Sequence, residues 1–421
     1  MTLSLSEVLE QIGQRAAAAS RILSQTTTAE KNKALLAIAR RIEQETETIL
    51  AANEADLRAG SGRGLSAAML DRARLDPKRI RTIANSVREV VDLTDPTGEV
   101  LKEWGRPNGL KISKRRVPIG VIGIIYESRP NVTSDAASLC LKTGNAVILR
   151  GGSETIRSNL ALVEAISEGC KEVGLPEYSV QLVPSTERAA VTLMAQLDRY
   201  IHLIIPRGGR SLIEAVTSAA RMPVIKHFDG VCAAYVDRAA DLRMAEQIVV
   251  NAKCQRPGVC NAIETMLVHE AVARHFLPAC ANALWERGVE LRGDLLTQEI
   301  LGSKVVPATE EDWRTEYLDL ILAVKTVGSL EEAVEHIETY GSHHSDVIIT
   351  EDAVIAQKFL NHVDSAAVFW NASTRFNDGA EFGFGAEIGI STDRLHARGP
   401  MGLEELTSYK YLVEGKGQIR G

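Results

Sequence analysis

The chain has 421 residues, which is more than one compact core supports and suits two or three domains. Its 55 acidic side chains outnumber the 48 basic ones, so its overall charge argues against a general nucleic-acid binder or a protein that adheres to anionic lipid. No apolar run approaches the roughly 20 residues that span a bilayer. Six cysteines without a CxxC pair are typical of free thiols in a reducing compartment, and we expect a cytoplasmic protein.

The first hundred residues are predicted to be helical, with a helix start at Thr28 and apolar residues near helical spacing afterwards. From residue 110 an extended run is followed by alternating helices and strands. The predicted helices are 132–142, 153–173, 187–200 and one from 210, and the predicted strands are 146–150, 180–183 and 201–205. This alternation predicts a parallel, doubly wound sheet, the usual scaffold for a nucleotide.

A second series of strands and helices begins near residue 231 and continues to about residue 385. Its first predicted strands are 232–236 and 263–268, and its first predicted helices are 241–252 and 271–287. The segment after residue 387 is predicted to be extended, with a strand at 407–413. This tail and a hairpin at 98–117 favour pairing with another subunit, because exposed strand edges can bind a partner strand.

The segment NAKCQRPGVCNAIETMLVH (251–269) contains the main candidate for covalent chemistry. Cys260 lies in a predicted turn just before a strand, where backbone N–H groups favour the thiolate over the thiol. By local pattern alone, a structural cysteine in a loop is the more frequent alternative.

Two other polar groups follow predicted strands. Asn131, in a Pro-Asn turn, could stabilise an oxyanion or could cap the following helix. Arg150, Gly151, Gly152 and Ser153 close a strand and open a helix, and this combination of a cation, glycines and a helix start is typical of an anion site. Because it is not the GxGxxG fingerprint, the motif alone does not specify the ligand.

Taken together, the Pro-Asn pair, the Arg-Gly-Gly-Ser-Glu segment, Pro206-Arg207-Gly208-Gly209 and Cys260 occur in the order seen in the aldehyde dehydrogenase superfamily, which the chain resembles from end to end. Three stretches resemble the branch that reduces an acyl phosphate: QRPGVCNA; AVEHIETYGSHHSDVI; and NASTRF with LHARGPMGLEELTSYKY. The resemblance implies an α/β fold with a doubly wound parallel-sheet cofactor domain, an α/β catalytic domain and a small β oligomerisation flap. The implied boundaries are 1–97 and 118–229 for the first, 230–386 for the second, and 98–117 with 387–421 for the flap.

The same resemblance implies an activity, the NADPH-dependent reduction of L-glutamyl 5-phosphate to L-glutamate 5-semialdehyde in proline biosynthesis. Phosphate would be released and the acyl group held as a thioester on Cys260. The resemblance also implies a homo-oligomer, a dimer or a tetramer, with glutamate 5-kinase as a possible partner that supplies the acyl phosphate. The rival hypotheses are a hydrolytic, NAD-linked semialdehyde dehydrogenase and a catalytically silent nucleotide-binding or redox-sensing protein.

Residue roles follow from the resemblance position by position. Cys260 matches the nucleophile, Asn131 matches the oxyanion-hole amide, and Glu316 matches the glutamate that holds the nicotinamide ribose. Arg150 takes the place of the lysine near the adenosine ribose. The residues expected to contact the cofactor are Arg150, Gly151, Gly152, Ser153, Pro206, Arg207, Gly208, Gly209 and Glu316.

The chain departs from hydrolytic members of the superfamily at His227, in PVIKHFDGV, where those enzymes carry a glutamate base that activates water. A reductase that discharges its thioester with hydride needs no such base. We interpret His227 as a packed histidine, with a part in catalysis as the alternative.

A second departure concerns the choice of cofactor. Ser153 and Glu154 compete for the position of the glutamate that binds the ribose 2′-hydroxyl in NAD-specific members, and Arg150 could neutralise a 2′-phosphate. The family therefore implies NADPH, and the sequence permits it.

The remaining cysteines receive structural interpretations. Cys140, Cys170, Cys232 and Cys280 are predicted to be packing residues. Cys254 could form a regulatory disulfide with Cys260, although a plain thiol is the preferred interpretation.

No metal site is expected. His343, His344 and Asp346 are predicted to belong to a domain-interface loop, because adjacent residues diverge on a strand and no second ligand cluster follows. The phosphate and the carboxylate of the substrate need cations or helix ends. The candidates for those cations are Arg129, Arg256, Arg375 and Lys226.

Overall fold

The computed structural model describes residues 3–127 and 129–420, and these form two compact units. The first unit contains residues 3–226 apart from residue 128, together with Gly383–Gly389 and residues 401–420. The second unit contains His227–Phe382 and Ile390–Pro400. The predicted assignment of separate functions to segments of the chain stays a prediction.

The helices and strands are numbered here in chain order. The α-helices are α1 (Leu5–Leu23), α2 (Thr28–Gln44), α3 (Thr46–Gly62), α4 (Ala67–Ala73), α5 (Pro77–Asp92), α6 (Asn131–Lys142), α7 (Ile156–Glu172), α8 (Ala189–Met194), α9 (Arg210–Ala219), α10 (Leu242–Cys254), α11 (Glu270–Trp285), α12 (Leu295–Leu301), α13 (Leu330–Tyr340) and α14 (Ala353–His362). The strands are β1 (Val100–Gly105), β2 (Lys111–Pro118), β3 (Val121–Tyr126), β4 (Ala146–Arg150), β5 (Val180–Leu182), β6 (Leu203–Arg207), β7 (Cys232–Val236), β8 (Ile263–His269), β9 (Glu290–Gly293), β10 (Val306–Pro307), β11 (Ile321–Val327), β12 (Ser345–Ile349), β13 (Ala367–Trp370), β14 (Ile390–Ser391), β15 (Gly399–Pro400) and β16 (Thr407–Glu414).

The N-terminal helices of the first unit begin at capping boxes. Ser4 pairs with Glu7 before α1, and Thr27 pairs with Glu30 before α2, so that each helix start has its backbone donors satisfied by a side chain. The apolar stripe of α2, which includes Leu35, is completely buried. The predicted helical character of this region is confirmed.

The parallel sheet of the first unit has four strands in the order β5-β4-β3-β6. Every residue of β3 and β4 is buried, which explains why both sequences are apolar throughout except for Arg150 at the end of β4. The predicted doubly wound sheet is therefore confirmed. Most predicted elements of this sheet and its helices agree with the structure to within three residues at each end. The largest difference is the helix expected at 187–200, which is Ala189–Met194 because turns follow it, and the strand expected at 201–205 is shifted to Leu203–Arg207.

An antiparallel sheet of three strands, in the order β1-β2-β16, also belongs to the first unit. β1 and β2 form the predicted hairpin, and β16 pairs with β2 along its whole length. Tyr409, Tyr411 and Val413 on β16 are each at least half exposed. The predicted strands are confirmed, and the predicted pairing with another subunit stays a prediction.

The second unit is built on a parallel sheet of seven strands in the order β10-β9-β11-β8-β7-β12-β13. Helices α10 and α11 pack on it through a core that includes Val249, Phe276 and Leu277. The predicted strand 232–236 is confirmed at both ends, and the strand predicted at 263–268 extends one residue further. Because β8, β7 and β12 are neighbours and parallel, the loops that precede them meet at one edge of the sheet.

Two further observations bear on the sequence predictions. Cys140, Cys170, Cys232 and Cys280 are buried, which confirms their packing role, whereas Cys254 and Cys260 are half-buried free thiols. None of the helices in the described part of the chain combines the length and the apolar content that a bilayer crossing requires.

Candidate active site

Cys260 lies at the amino edge of the seven-stranded sheet, in the turn that joins α10 to β8. The turn is held at both ends, because Lys253 near the end of α10 forms an ion pair of 2.5 Å with Glu264 in β8. Both side chains of the pair are fully buried, and burial raises the pKa of Glu264 to about 7. The predicted position of the thiol in a turn before a strand is confirmed.

The backbone of Cys260 is packed against the segment that leads into β7. The thiol of Cys232 donates a hydrogen bond to the Cys260 carbonyl oxygen over 3.1 Å. A Cβ atom at Gly230 would lie 2.0 Å from the same oxygen, so a larger residue would have to displace it. The carbonyl of the cysteine is therefore fixed from two sides, and its thiol remains half-buried.

Two histidines flank the thiol. A ligating atom from each of His227, His344 and Cys260 lies within 4.8 Å of the others, and the two imidazole rings meet edge to face with centroids 5.4 Å apart. His344 is fully buried and directly precedes β12, whereas His227 lies in the segment before β7. The sequence prediction placed His343, His344 and Asp346 in a loop. This is confirmed for the two histidines and wrong for Asp346, which lies in β12, and the prediction also missed the proximity of His344 to Cys260.

The tautomer of His227 follows from its backbone contact. His227 Nδ1 lies 2.8 Å from the carbonyl oxygen of Ile390, and a carbonyl oxygen can only accept. Nδ1 therefore carries the proton, and in the neutral ring the lone pair is on Nε2. A histidine in this state can take a proton from a thiol or bind a metal ion.

Glu316 belongs to the second unit and approaches the same segment as Cys260. Its carboxylate accepts a hydrogen bond of 2.8 Å from the backbone N–H of Gly230. Burial raises the pKa of Glu316, whereas the Gly230 donor and the nearby His344 act in the opposite direction. The structure thus links the predicted ribose-binding glutamate to the loop that packs on Cys260.

Of the predicted substrate cations, Arg256 and Arg375 lie with Cys260 in the second unit. Arg375 Nε donates to Gln255 over 2.8 Å, and the guanidinium also contacts Asn261, on the other side of Cys260 in the sequence. Burial is the main cause that lowers the pKa of Arg375, with Arg256 acting in the same direction. Arg129 and Lys226 belong to the first unit.

The first unit gathers most of the predicted cofactor residues at the carboxyl edge of its parallel sheet. Arg150 ends β4 opposite Ile125, and Arg207 ends β6 opposite Tyr126. Gly208 and Gly209 follow β6, and the N–H of Gly209 donates to the Glu127 carboxylate over 3.0 Å. Eight of the predicted cofactor residues therefore lie at this edge: Arg150, Gly151, Gly152, Ser153, Pro206, Arg207, Gly208 and Gly209.

The residues at this edge fit an anionic cofactor. Arg150 is 8% exposed, and its Nε has no hydrogen-bond partner among the described residues. Burial lowers the pKa of Arg150, as expected for a cation removed from water, and the carboxylates of Glu154 and Glu127 oppose this effect. A Cβ atom at Gly151 would lie 2.1 Å from Asn159 Nδ2, so the close approach of the backbone here requires glycine.

Ser153 and Glu154, the two residues that compete for the ribose position, lie together in the short 3-10 helix Ser153–Thr155. The Glu154 carboxylate folds back over Gly152, where an added Cβ would lie 2.2 Å from Oε1. Ser153 Oγ donates to the same carboxylate over 3.4 Å. The positive charge of Arg150 and the negative charge of Glu154 are therefore neighbours.

Asn131 is the first residue of α6 and is exposed. It does not cap the helix, because the N-cap position is Pro130 and the Asn131 amide donates to Asp135 over 2.9 Å. The capping alternative is therefore wrong. Asp135, which the sequence prediction missed, is a carboxylate whose pKa burial raises to about 6, while the hydrogen bond from Asn131 opposes that rise.

The family model described as "Aldehyde dehydrogenase family" matches residues 3–296, about 70% of the chain. With the fold and the site described above, this match defines the class: the chain belongs to the aldehyde dehydrogenase family and is an oxidoreductase. Members of this family use a nicotinamide cofactor.

Individual relatives narrow the class. The chain is 59% identical over 408 residues, which are 97% of each protein, to gamma-glutamyl phosphate reductase of Moorella thermoacetica. The crystal structure of gamma-glutamyl phosphate reductase from Thermotoga maritima matches with a TM-score of 0.97 and 49% identity, over 98% of this chain and 100% of that one. The corresponding enzyme of Saccharomyces cerevisiae matches with a TM-score of 0.52 and 30% identity, over 98% of each chain. Within the aldehyde dehydrogenase family, the chain belongs to the gamma-glutamyl phosphate reductases.

Proposed function

We propose that this protein reduces L-glutamyl 5-phosphate to L-glutamate 5-semialdehyde with NADPH and releases phosphate, through a thioester on Cys260. The observation that carries the proposal is the half-buried thiol of Cys260, which has a ring nitrogen of His227 within 4.8 Å. The family resemblance implies that hydrolytic members have a carboxylate base at the position of His227. A carboxylate base would activate water against the thioester, and its replacement favours a reaction in which water is not the acceptor.

Activation of the nucleophile is assigned to His227. The hydrogen bond from Nδ1 to the Ile390 carbonyl leaves the Nε2 lone pair available to accept the proton of the Cys260 thiol. The thiolate then forms a bond to the acyl carbon, and the carbon–oxygen bond to phosphate breaks. Phosphate takes the electron pair, so the acyl group remains on sulfur as a thioester.

Charge that develops on the acyl oxygen requires donors. We assign this role to the Asn131 amide and to the backbone N–H of Cys260, as the family resemblance implies. One amide hydrogen of Asn131 is already engaged by Asp135 at 2.9 Å. This contact fixes the orientation of the amide, and the second amide hydrogen is then directed without a further entropic cost.

The substrate carries a phosphate and a carboxylate, and we assign nearby cations to them. Arg256 lies in the turn of Cys260, and Arg375 reaches that turn through its contacts with Gln255 and Asn261, so both suit the departing phosphate. Arg129 is the candidate for the substrate carboxylate. Because the chain as a whole is acidic, such local cations are needed to hold a dianionic substrate.

For the cofactor, Arg150 and the glycines around it would hold the adenosine phosphate end, and Glu316 would hold the nicotinamide ribose. When bound, NADPH supplies the hydride that reduces the thioester carbonyl. The buried Arg150 supports NADPH over NADH, because a guanidinium matches the extra 2′-phosphate. We further propose a cytoplasmic homo-oligomer that receives its unstable acyl phosphate from glutamate 5-kinase.

The reverse reaction tests the proposal, because it must consume phosphate. Purified protein is mixed with glutamate 5-semialdehyde and NADP⁺, and reduction of the cofactor is followed with and without inorganic phosphate. The proposal predicts a rate that rises from near zero as phosphate is added. A rate independent of phosphate would support the hydrolytic rival instead, and no rate under either condition would support the catalytically silent rival.

A further inference from the structure

We propose that His227, Cys260 and His344 form a capture site for Zn²⁺ and similar soft divalent cations, which switches the enzyme off by occupying its nucleophile. The loss of activity rests on the proposed function of Cys260, whereas the binding of the ion does not. Within the described residues, these three side chains are the group whose donor types and spacing fit such an ion.

The donor atoms are already close to the separations that zinc requires. One ligating atom from each of the three side chains lies within 4.8 Å of the other two. Bond lengths of about 2.1 Å to nitrogen and about 2.3 Å to sulfur in a tetrahedral site place ligand atoms about 3.4–3.6 Å apart. The cluster therefore has to close by roughly 1 Å, which small side-chain rotations provide.

The donor set is also the one that zinc prefers. One thiolate and two imidazoles leave a fourth position for water, the pattern of a zinc site with an open coordination position. Soft sulfur and imidazole ligands select zinc over Mg²⁺ and Ca²⁺, which favour oxygen. Cys260 is half-buried, so an ion from solvent can reach it.

Contacts behind the histidines hold both rings as metal ligands are commonly held. The His227 Nδ1–H donates to the Ile390 carbonyl, which orients the Nε2 lone pair. His344 Nδ1 lies 2.7 Å from Ser345 Oγ and 3.7 Å from Cys232 Sγ, which fixes that buried ring. Such outer contacts raise the affinity of a site because the ligands lose little freedom on binding.

Two neighbouring charges act on a bound cation in opposite directions. Glu316 lies near enough to His344 for their charges to interact, and its carboxylate favours the ion. Arg375 interacts electrostatically with Cys260 and disfavours it. We therefore expect the ion to bind reversibly, so that a chelator removes it, and we do not expect a permanently filled structural site.

Binding forms a zinc–sulfur bond and two zinc–nitrogen bonds, displaces water from the ion, and releases the thiol proton to solvent. The sulfur electron pair is then engaged by the metal and cannot attack an acyl carbon. Removal of the ion by a chelator restores the thiol, because no electrons are transferred and the cysteine is not oxidised.

The test is a titration of the metal-free full chain with Zn²⁺, by calorimetry, and with Co²⁺, by the thiolate-to-cobalt absorption band. We expect one ion per chain and protection of Cys260 from alkylation by iodoacetamide. Cys260→Ser should abolish the absorption band. His344→Asn, which keeps a polar group near the Ser345 contact but has no Nε2, should weaken binding at least about 100-fold, since even loss of an outer contact costs 10- to 100-fold. His227→Asn, which keeps a donor to Ile390, should do the same.

Two matched controls separate this site from adventitious binding. Cys254→Ser removes the other half-buried thiol, and His343→Asn replaces the neighbouring histidine in its left-handed backbone conformation (φ 57°) with a residue that tolerates it. Both should bind the ion as tightly as the unmodified chain does. Equal loss of affinity in these controls, or unchanged affinity in His344→Asn and His227→Asn, would overturn the site.

Turnover measured at saturating Zn²⁺ completes the test. Inhibition that a chelator reverses supports the switch. Full binding without inhibition would overturn the switch and, with it, the nucleophilic role of Cys260, while the metal site would stand. Absent binding in an active enzyme would overturn the metal site alone.

Discussion

Gly230 and Cys260 are in such close contact that a Cβ atom at position 230 would lie 2.0 Å from the Cys260 carbonyl oxygen. The N–H of Gly230 also donates to Glu316 over 2.8 Å. One glycine therefore positions two residues that the sequence places far apart, the predicted nucleophile and the predicted ribose-binding glutamate.

Replacing Gly230 with alanine should displace the Cys260 turn. Gly230 has no positive φ, so the effect is steric: the nearest atoms belong to the backbone of Cys260, which cannot move aside as a flexible side chain does. We expect kcat to fall by about 100-fold, the usual effect of moving a reacting group by roughly 1 Å, and the unfolding free energy to fall by about 1–3 kcal/mol.

Gly258→Ala is the matched control, because it adds the same atom within the turn that contains Cys260 but makes no close contact. Its new Cβ would have its nearest neighbour, the Leu318 carbonyl oxygen, at 3.6 Å, an ordinary contact. Steady-state kinetics and urea unfolding of both variants check the prediction. Equal losses in the two variants would show that the turn tolerates no substitution and that the Gly230 contact is not special.

His227 is predicted to accept the thiol proton, and two amide variants separate this role from packing. His227→Asn keeps a donor to the Ile390 carbonyl but has no atom in the place of Nε2. His227→Gln places an amide nitrogen near the position of Nε2, but that nitrogen has no basic lone pair. Both should lower kcat by about 100-fold, at the small end of general-base effects. If His227→Asn keeps full activity but is less stable to unfolding, the packing interpretation is correct.

The measurement that isolates this role is the pH profile of Cys260 alkylation. The unmodified chain should react through a thiolate whose population depends on the histidine, and both variants should need a higher pH for the same rate. A profile that does not move would contradict the assignment, whatever happens to kcat.

Asp135 is predicted to position Asn131. Burial raises the pKa of Asp135 to about 6, so the carboxylate that accepts the Asn131 amide hydrogen is lost as the pH falls through about 6. The turnover rate should therefore decrease as Asp135 becomes protonated. Asp135→Asn keeps a hydrogen-bond acceptor that does not titrate, so the turnover rate of this variant should not decrease near pH 6.

A second comparison removes the hydrogen bond between Asn131 and Asp135 altogether. Asp135→Ala should lower kcat by about 10- to 100-fold because the amide becomes free to rotate. Asn131→Ala should cost about 100- to 1,000-fold, as removal of an oxyanion donor does. If turnover of Asp135→Asn still falls as the pH drops through about 6, a group other than Asp135 causes that fall.

The fully buried Asp346 predicts a pH dependence of stability. Its carboxyl contacts the N–H of Ala233 and the hydroxyl of Ser365, and burial raises its pKa from an ordinary 3.8 to about 7. Because the folded state holds the proton more tightly, this contribution to stability is complete below pH 4 and is lost as the pH rises through 7. The full loss is roughly 4 kcal/mol for such a rise in pKa.

Urea unfolding at a series of pH values, compared with Asp346→Asn, checks this prediction. The variant cannot ionise, and its amide can serve both partners if the Ser365 hydroxyl accepts. The stability of the unmodified chain should therefore decline relative to that of the variant between pH 4 and pH 8. Parallel curves would contradict the raised pKa.

Local signals in the sequence predicted much of the fold. The predicted bounds of the strand at 146–150 are correct at both ends because it combines an apolar run with a glycine turn on either side. Those of the strand at 232–236 are correct because its apolar run follows Gly230 and ends before the charged pair Asp237-Arg238. The helix at 187–200 was too long, since the pattern continues into turns after Met194 that packing determines. The register of the strands and their order in each sheet are long-range properties that periodicity does not carry.

The candidate site shows the same limit. Cys260 and Arg150 stand in local motifs and could be predicted, but the contact of Gly230 with Cys260 and the role of His344 could not. His344 meets Cys260 only because β12 and β8 both neighbour β7, and that order is not readable from the spacing of 84 residues between them. Asp135 follows Asn131 by one helical turn, and an i, i+4 acid–amide pair is a local signal that could have been found.

Cys260→Ala shows whether Cys260 is the nucleophile of a phosphate-dependent reductase. The variant is assayed for NADP⁺ reduction with glutamate 5-semialdehyde and phosphate, and NADPH binding is measured by fluorescence on the same sample. We expect no detectable turnover together with nearly unchanged cofactor affinity. Turnover that persists in a variant that binds NADPH normally would contradict this expectation.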